Sequence, residues 1–163
     1  MVCCALRCAA PARTVLFCGG NAGDVGGAVA FGRTLFRALP RTDVVCFDYS
    51  GFGRSPGAPS EAQTYRDVAA VVDSLRSRSS APLVLFGHSM GASVALHHAV
   101  ARGGVAALVL DSPPASILHA LSSGTLASPA VVFSPLDPYP NASSIARLGA
   151  PVFFVAGDAD PTC

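Results

Sequence analysis

Five short runs rich in Val, Leu or Phe, at 14–18, 44–47, 83–86, 105–110 and 152–156, recur along the chain with longer stretches between them. This rhythm constrains the fold more than any other feature. Runs that are apolar at successive positions, and not only at alternate ones, mark strands covered on both faces. Between them, residues 25–39, 61–76 and 90–102 carry apolar side chains at helical spacing. The second is the best delimited: Ser60 and Gln63 form a capping box, and Tyr65, Val68, Val72 and Leu75 fall on one face. Strands alternating with helices specify an α/β fold, a mostly parallel doubly wound sheet of about five strands. Residues 112–136 break the rhythm with Pro113, Pro114, Pro129 and Pro135 and no formal charge. This apolar excursion, with a short helix expected over 116–121, either packs on the core or forms a lid or acyl-binding wall over a site.

Composition narrows the function classes. Of the 163 residues, 51% are hydrophobic and 13% charged, which excludes intrinsic disorder. A net charge of +1 provides no basic surface for nucleic acid, so no nucleic-acid partner is expected. The six Cys have no spacing suited to zinc, and a reduced, cytoplasmic protein is the default. Arg7 interrupts the N-terminal apolar run too early for a secretory signal. Residues 79–101 carry no formal charge, but Gly87, His88, Ser89 and Gly91 in mid-stretch fit a strand, a turn and a helix better than a membrane span.

The sharpest motif is Gly87-His88-Ser89-Met90-Gly91, a G-x-S-x-G sequence directly after the run LVLF and directly before the helical MGASVALHHAV. A nucleophilic serine must stand exposed on a tight strand-to-helix turn, where flanking side chains would crowd it and glycines do not. The helix start offers the Met90 N–H to a developing oxyanion. A second donor is expected from the loop Cys18-Gly19-Gly20-Asn21-Ala22-Gly23, with the Asn21 N–H as the candidate. Neither a Walker A nor a clean G-x-G-x-x-G pattern supports a phosphate-binding alternative.

With these residues in place, the chain resembles the α/β-hydrolases, in particular the palmitoyl-protein thioesterase (depalmitoylase) and serine aminopeptidase-like branch. The resemblance rests on four stretches in family order: FCGGNAGD (17–24), FDYSGFGRSPGAPSE (47–61), GHSMG (87–91) and PVFFVAGDAD (151–160). Where the family usually has His before the Gly-Asn pair, this chain has Gly19. The resemblance implies a structural part for Asp48, with Arg54 and Ser55 as scaffold or pocket rim. Its G-x-x-D pattern matches Gly157 and Asp160, which makes Asp160 the expected triad acid. Asp111, at the end of the preceding strand, occupies the position some hydrolases use instead, and Asp158 reads as a turn residue.

The fold's triad order is Ser, Asp, His, and no His follows Asp160. His88 is expected to pack away from the serine hydroxyl. His97 and His98 lie eight and nine residues beyond Ser89, about 12 Å or more up the helix axis, too far for a hydrogen bond. His119 is the remaining internal candidate. Only 13 residues precede the first run, so the chain resembles the middle of a hydrolase, truncated at both ends. Residues 1–13 are expected as a Cys-rich segment and 14–163 as a partial hydrolase domain with its excursion at 112–150.

The expected function is hydrolysis of an ester or thioester, in a small molecule or an acylated protein, through Ser89 and without metal or cofactor. The alternative is a non-catalytic α/β scaffold that lacks the triad His. Thioester acylation of Cys3, Cys4 and Cys8 would add peripheral membrane association.

Overall fold

The computed structural model describes residues 1–114, 139 and 141–157. In chain order the elements are β1 (Cys3–Leu6), β2 (Arg13–Cys18), α1 (Val25–Ala38), β3 (Thr42–Phe47), α2 (Glu61–Arg76), β4 (Leu83–His88), α3 (Met90–Arg102), β5 (Ala107–Asp111), α4 (Asn141–Ile145) and β6 (Val152–Val155). The strands form one six-stranded sheet in the order β1-β3-β2-β4-β5-β6. All neighbours are parallel except β1, which runs antiparallel to β3.

Successive residues of a strand point to opposite faces, and here both faces are covered. Leu16 and Cys18 of β2 join Leu85, Leu108 and Leu110 in a core closed by Val68 and Val72 of α2 and Val94 and Leu96 of α3. Val15 and Phe17 face the other way, with Val44 and Cys46, against α1. This is the doubly wound arrangement that the apolar runs require. Among the described residues, β6 lies at the sheet edge with Phe153 and Phe154 more than half exposed.

The sequence reading opens the sheet at residue 14, and the structure adds β1 ahead of it. Cys4 lies opposite Cys46 and Leu6 opposite Val44. Residues flanking the strand are tied down as well. The Val2 N–H donates to Ser55 Oγ (2.8 Å), and the Asp48 N–H donates to the Val2 carbonyl (2.9 Å). Buried Asp43 accepts from the Cys8 N–H (2.9 Å) and the Arg7 guanidinium (3.1 Å). Cys3 is exposed, while Cys4 and Cys8 are half-buried.

The expected capping box forms by half. Ser60 Oγ accepts from the Gln63 N–H (3.2 Å), but the Gln63 side chain donates to Asp67 Oδ1 (2.8 Å) and Ser50 Oγ (3.3 Å) in place of reaching back to Ser60. Buried Asp67 also accepts from the Ser50 N–H (2.7 Å), so these residues fix the turn after β3 to α2. The far end of the apolar excursion closes on the helices. Tyr139 shares a 3.0 Å hydrogen bond with Thr64 of α2, and Asn141 donates to Ser93 of α3 (2.7 Å) and to the Pro114 carbonyl. The helix expected over 116–121 lies outside the described residues.

Candidate active site

Ser89 sits between β4 and α3 at φ 53° and ψ −121°, a conformation that L-residues avoid. Strain of this kind persists only where surrounding structure over-determines it. Two hydrogen bonds pin the turn: the Ser89 N–H donates to the Asp111 carbonyl at the end of β5 (2.9 Å), and the Ala92 N–H donates to the Ser89 carbonyl (2.9 Å). The glycines are required by space. A Cβ at Gly87 would meet the Ala92 backbone, and one at Gly91 would overlap the Cys18 carbonyl. The Ser89 side chain makes no capping bond to α3. Its hydroxyl is thus presented at the carboxyl end of the sheet, where ligand sites in such folds lie.

The loop after β2 arches over this turn. A Cβ at Gly20 would lie 3.5 Å from Ser89 Cβ and 3.3 Å from His88 Cδ2, so the loop backbone passes directly beside Ser89. Tyr49, buried against Phe47 and Phe52, donates its hydroxyl to the Gly19 carbonyl (3.4 Å) and holds the loop. Asn21 and Ser89 line the same cavity of about 460 Å³, whose apolar wall includes Phe17, Phe31, Phe47 and Phe52. Met90 opens α3, where the first N–H groups have no intrahelical partner. The two expected oxyanion donors and the serine therefore come from adjoining segments.

Asp48 is structural. It is 2% exposed, accepts the Val25 N–H at the start of α1 on one oxygen and the Arg54 N–H (3.3 Å) on the other. Ser55 is scaffold too, bridging the Asp48 carbonyl (3.1 Å) and the Val2 N–H. His97 stacks on Tyr65 at 3.5 Å between ring centroids, and His98 is buried in α3, so neither lines the cavity. Burial and the nearby Arg102 push the His98 imidazole down to about 4.

His88 departs from its expected packing role. Its side chain is 48% exposed, lines the cavity, and holds Asp111 Oδ2 through Nδ1 at 2.9 Å. The pair arises from the parallel register, which sets His88 directly opposite Asp111. That register is a property of the assembled sheet, and no local signal in the sequence announces it. Asp158, Asp160 and His119 lie outside the described residues; β6, which leads toward Asp160, forms as expected. Among the described residues, no group of three or more His, Cys, Asp or Glu could hold a metal ion, and no helix is long and apolar enough to cross a membrane.

Comparison with known proteins gives a consistent family. The family model described as serine aminopeptidase, S33, matches residues 9–136. An uncharacterized protein of Mycobacterium tuberculosis is 38% identical over 151 residues, 90% of this chain and 52% of that one. The human alpha/beta hydrolase domain-containing protein 17C is 33% identical over 162 residues, 97% of this chain and 47% of its own. The chain spans about half the length of these curated relatives. Among solved structures, an alpha-beta serine hydrolase homologue from Coxiella burnetii matches with a TM-score of 0.67 and 21% identity, covering 98% of this chain and 83% of that one. At that identity the likeness is one of fold.

Proposed function

Because the chain belongs to the serine aminopeptidase (S33) family of the α/β-hydrolase superfamily, we propose that it carries the nucleophile and oxyanion hole of a serine hydrolase acting on an ester or thioester. Ser89 attacks the scissile carbonyl, and the Asn21 and Met90 N–H groups hold the oxyanion of the tetrahedral intermediate. The intermediate collapses to an acyl-Ser89 as the alcohol or thiol departs with the proton taken from the serine, and water then hydrolyses the acyl-enzyme to the free acid and Ser89. Asp160 orients the histidine that takes the serine proton; none of the histidines among the described residues bonds to Ser89. The aromatic wall of the cavity offers the acyl group an apolar surface. An acylated protein or a small acyl ester is the substrate class.

The observation that carries this reading is the strained backbone of Ser89, with its side chain free of any capping bond. A serine-directed fluorophosphonate tests it. Applied to the chain with whatever downstream sequence its gene encodes, the reagent should add one phosphonyl group to the Ser89 peptide, and Ser89→Ala should abolish the addition. Labelling that survives Ser89→Ala discards the mechanism, and its absence from the wild type favours the non-catalytic scaffold.

A further inference from the structure

Away from the Ser89 cavity, Cys4 and Cys46 stand directly opposite each other across the β1–β3 ladder. The Asp48 N–H donates to the Val2 carbonyl, which sets the alternation of that ladder and makes Cys4 and Cys46 a hydrogen-bonded pair, with Cα atoms about 5.5 Å apart. A disulfide spans about 4.4–6.8 Å between Cα atoms. Opposed residues also point to the same side of the sheet, here toward α1. Leu6, two positions on from Cys4, marks that side, because a Cβ on Gly32 of α1 would meet Cys46 Sγ, Val44 and Leu6 together. Gly32 thus leaves room for the Cys46 sulfur, whose S–H donates to the Ala28 carbonyl (3.4 Å). The other described thiols are placed differently. Cys3 points to the opposite side of β1, Cys8 lies beyond its end, and Cys18 packs in the core on the other face of the sheet.

We propose that Cys4 and Cys46 are an oxidation site, a thiol pair that hydrogen peroxide closes to a disulfide fastening β1 to β3. The two thiols divide the work. Cys4 is half-buried on an edge strand and open to the oxidant, whereas Cys46 is 1% exposed and burial pushes its thiol up to about 11. The Cys4 thiolate attacks one peroxide oxygen and becomes a sulfenic acid; the other oxygen leaves as hydroxide and, with the proton Cys4 gave up, becomes water. The Cys46 sulfur then attacks the sulfenic sulfur, and the departing hydroxyl takes the Cys46 proton as a second water. Two thiols are oxidised and one peroxide is reduced. β1 is paired on one side only, so it can shift to bring the sulfurs together. The bridge closes the long loop that contains β2 and α1, which restricts the unfolded chain.

The test needs no substrate. The full chain is reduced, freed of reductant, exposed to graded hydrogen peroxide and then alkylated with N-ethylmaleimide in denaturant, and peptide mass spectrometry without reductant locates any bridge. A Cys4–Cys46 linked peptide should appear, lighter by two hydrogens than the two thiol peptides together, while Cys3, Cys8 and Cys18 are recovered alkylated. The thermal midpoint should rise on oxidation and fall back with dithiothreitol. Cys4→Ser, at a half-buried edge position, should leave Cys46 reduced under the same peroxide and abolish the rise. A bridge from Cys4 to Cys3 or Cys8, Cys46 recovered as a thiol while Cys4 passes to sulfinic acid, cross-links between chains alone, or no oxidation of either thiol overturns the proposal. So does a bridged protein whose thermal midpoint is unchanged. These readings come from the wild type and stand even if the variant fails to fold.

Discussion

Gly91 at the start of α3 packs against the Cys18 carbonyl at the end of β2 so closely that a Cβ would overlap it. The obstacle is backbone on a central strand and cannot swing aside like a long side chain. Gly91→Ala should therefore cost about 1–3 kcal/mol or more of stability. Displacement of α3 from β2 should also part Ser89 from Gly20, so fluorophosphonate labelling should fall further than the loss of folded protein explains. Urea unfolding alongside labelling under native conditions measures both.

Asp48 illustrates an acidic residue whose work is mechanical. Its two oxygens satisfy the Val25 and Arg54 N–H groups under near-complete burial. Asp48→Ala should lower stability by about 2–4 kcal/mol, because two donors are left without their acceptor. Chemical denaturation reads the change. A catalytic Asp48 would instead leave the unfolding midpoint in place and remove only activity.

Acid should destabilise the fold through His98. Burial and Arg102 lower its folded-state pKa to about 4, whereas an unfolded imidazole titrates near 6.5. Below about 6.5 the unfolded chain takes up a proton that the folded chain refuses, so stability is full above that pH and declines as pH falls toward 4. The loss should reach on the order of 2–3 kcal/mol. His98→Gln should flatten the pH dependence of the thermal midpoint over this window. Some slope should remain from His97, which burial also lowers.

The thiols should react in an order set by their faces. Cys18 and Cys46 are buried, and burial pushes their thiols up to about 12 and about 11. A maleimide should modify Cys3, Cys4 and Cys8 in the native protein, and should reach Cys18 and Cys46 only in denaturant; peptide mass spectrometry resolves the sites. If the N-terminal cysteines are acylated in a eukaryotic cell, a tagged chain should move to membranes with a hydroxylamine-sensitive mass shift. A Cys3, Cys4, Cys8→Ser variant should then remain soluble.

Five strands and three long helices were legible because uninterrupted apolar runs such as LVLF at 83–86 signal locally a strand covered on both faces, as β2 and β3 are; the run at 152–156 marked β6 in the same way, although its residues are largely exposed. β1 was not legible. It is an edge strand paired on one side, its burial alternates, and Arg7 closes it, so its four residues resemble any short mixed segment. The serine turn was readable because Gly87, Ser89 and Gly91 answer a steric demand within five residues. The His88–Asp111 contact was unreadable for the opposite reason: it depends on how β4 and β5 slide into register, which the packed core decides. Gln63 shows the same limit, since Asp67 and Ser50 outcompete its cap for the side chain.

The hydrogen bond from Asn141 to the Pro114 carbonyl joins two points 27 positions apart, and Asn141 is anchored on α3 by Ser93. The chain thus leaves and re-enters the described structure at two points held together by one hydrogen bond. Lengthening the chain between two such points is inexpensive, about 0.6 kcal/mol for each doubling of its residues. Changes in the number of residues between the two anchor points should therefore cost the sheet and the Ser89 turn little.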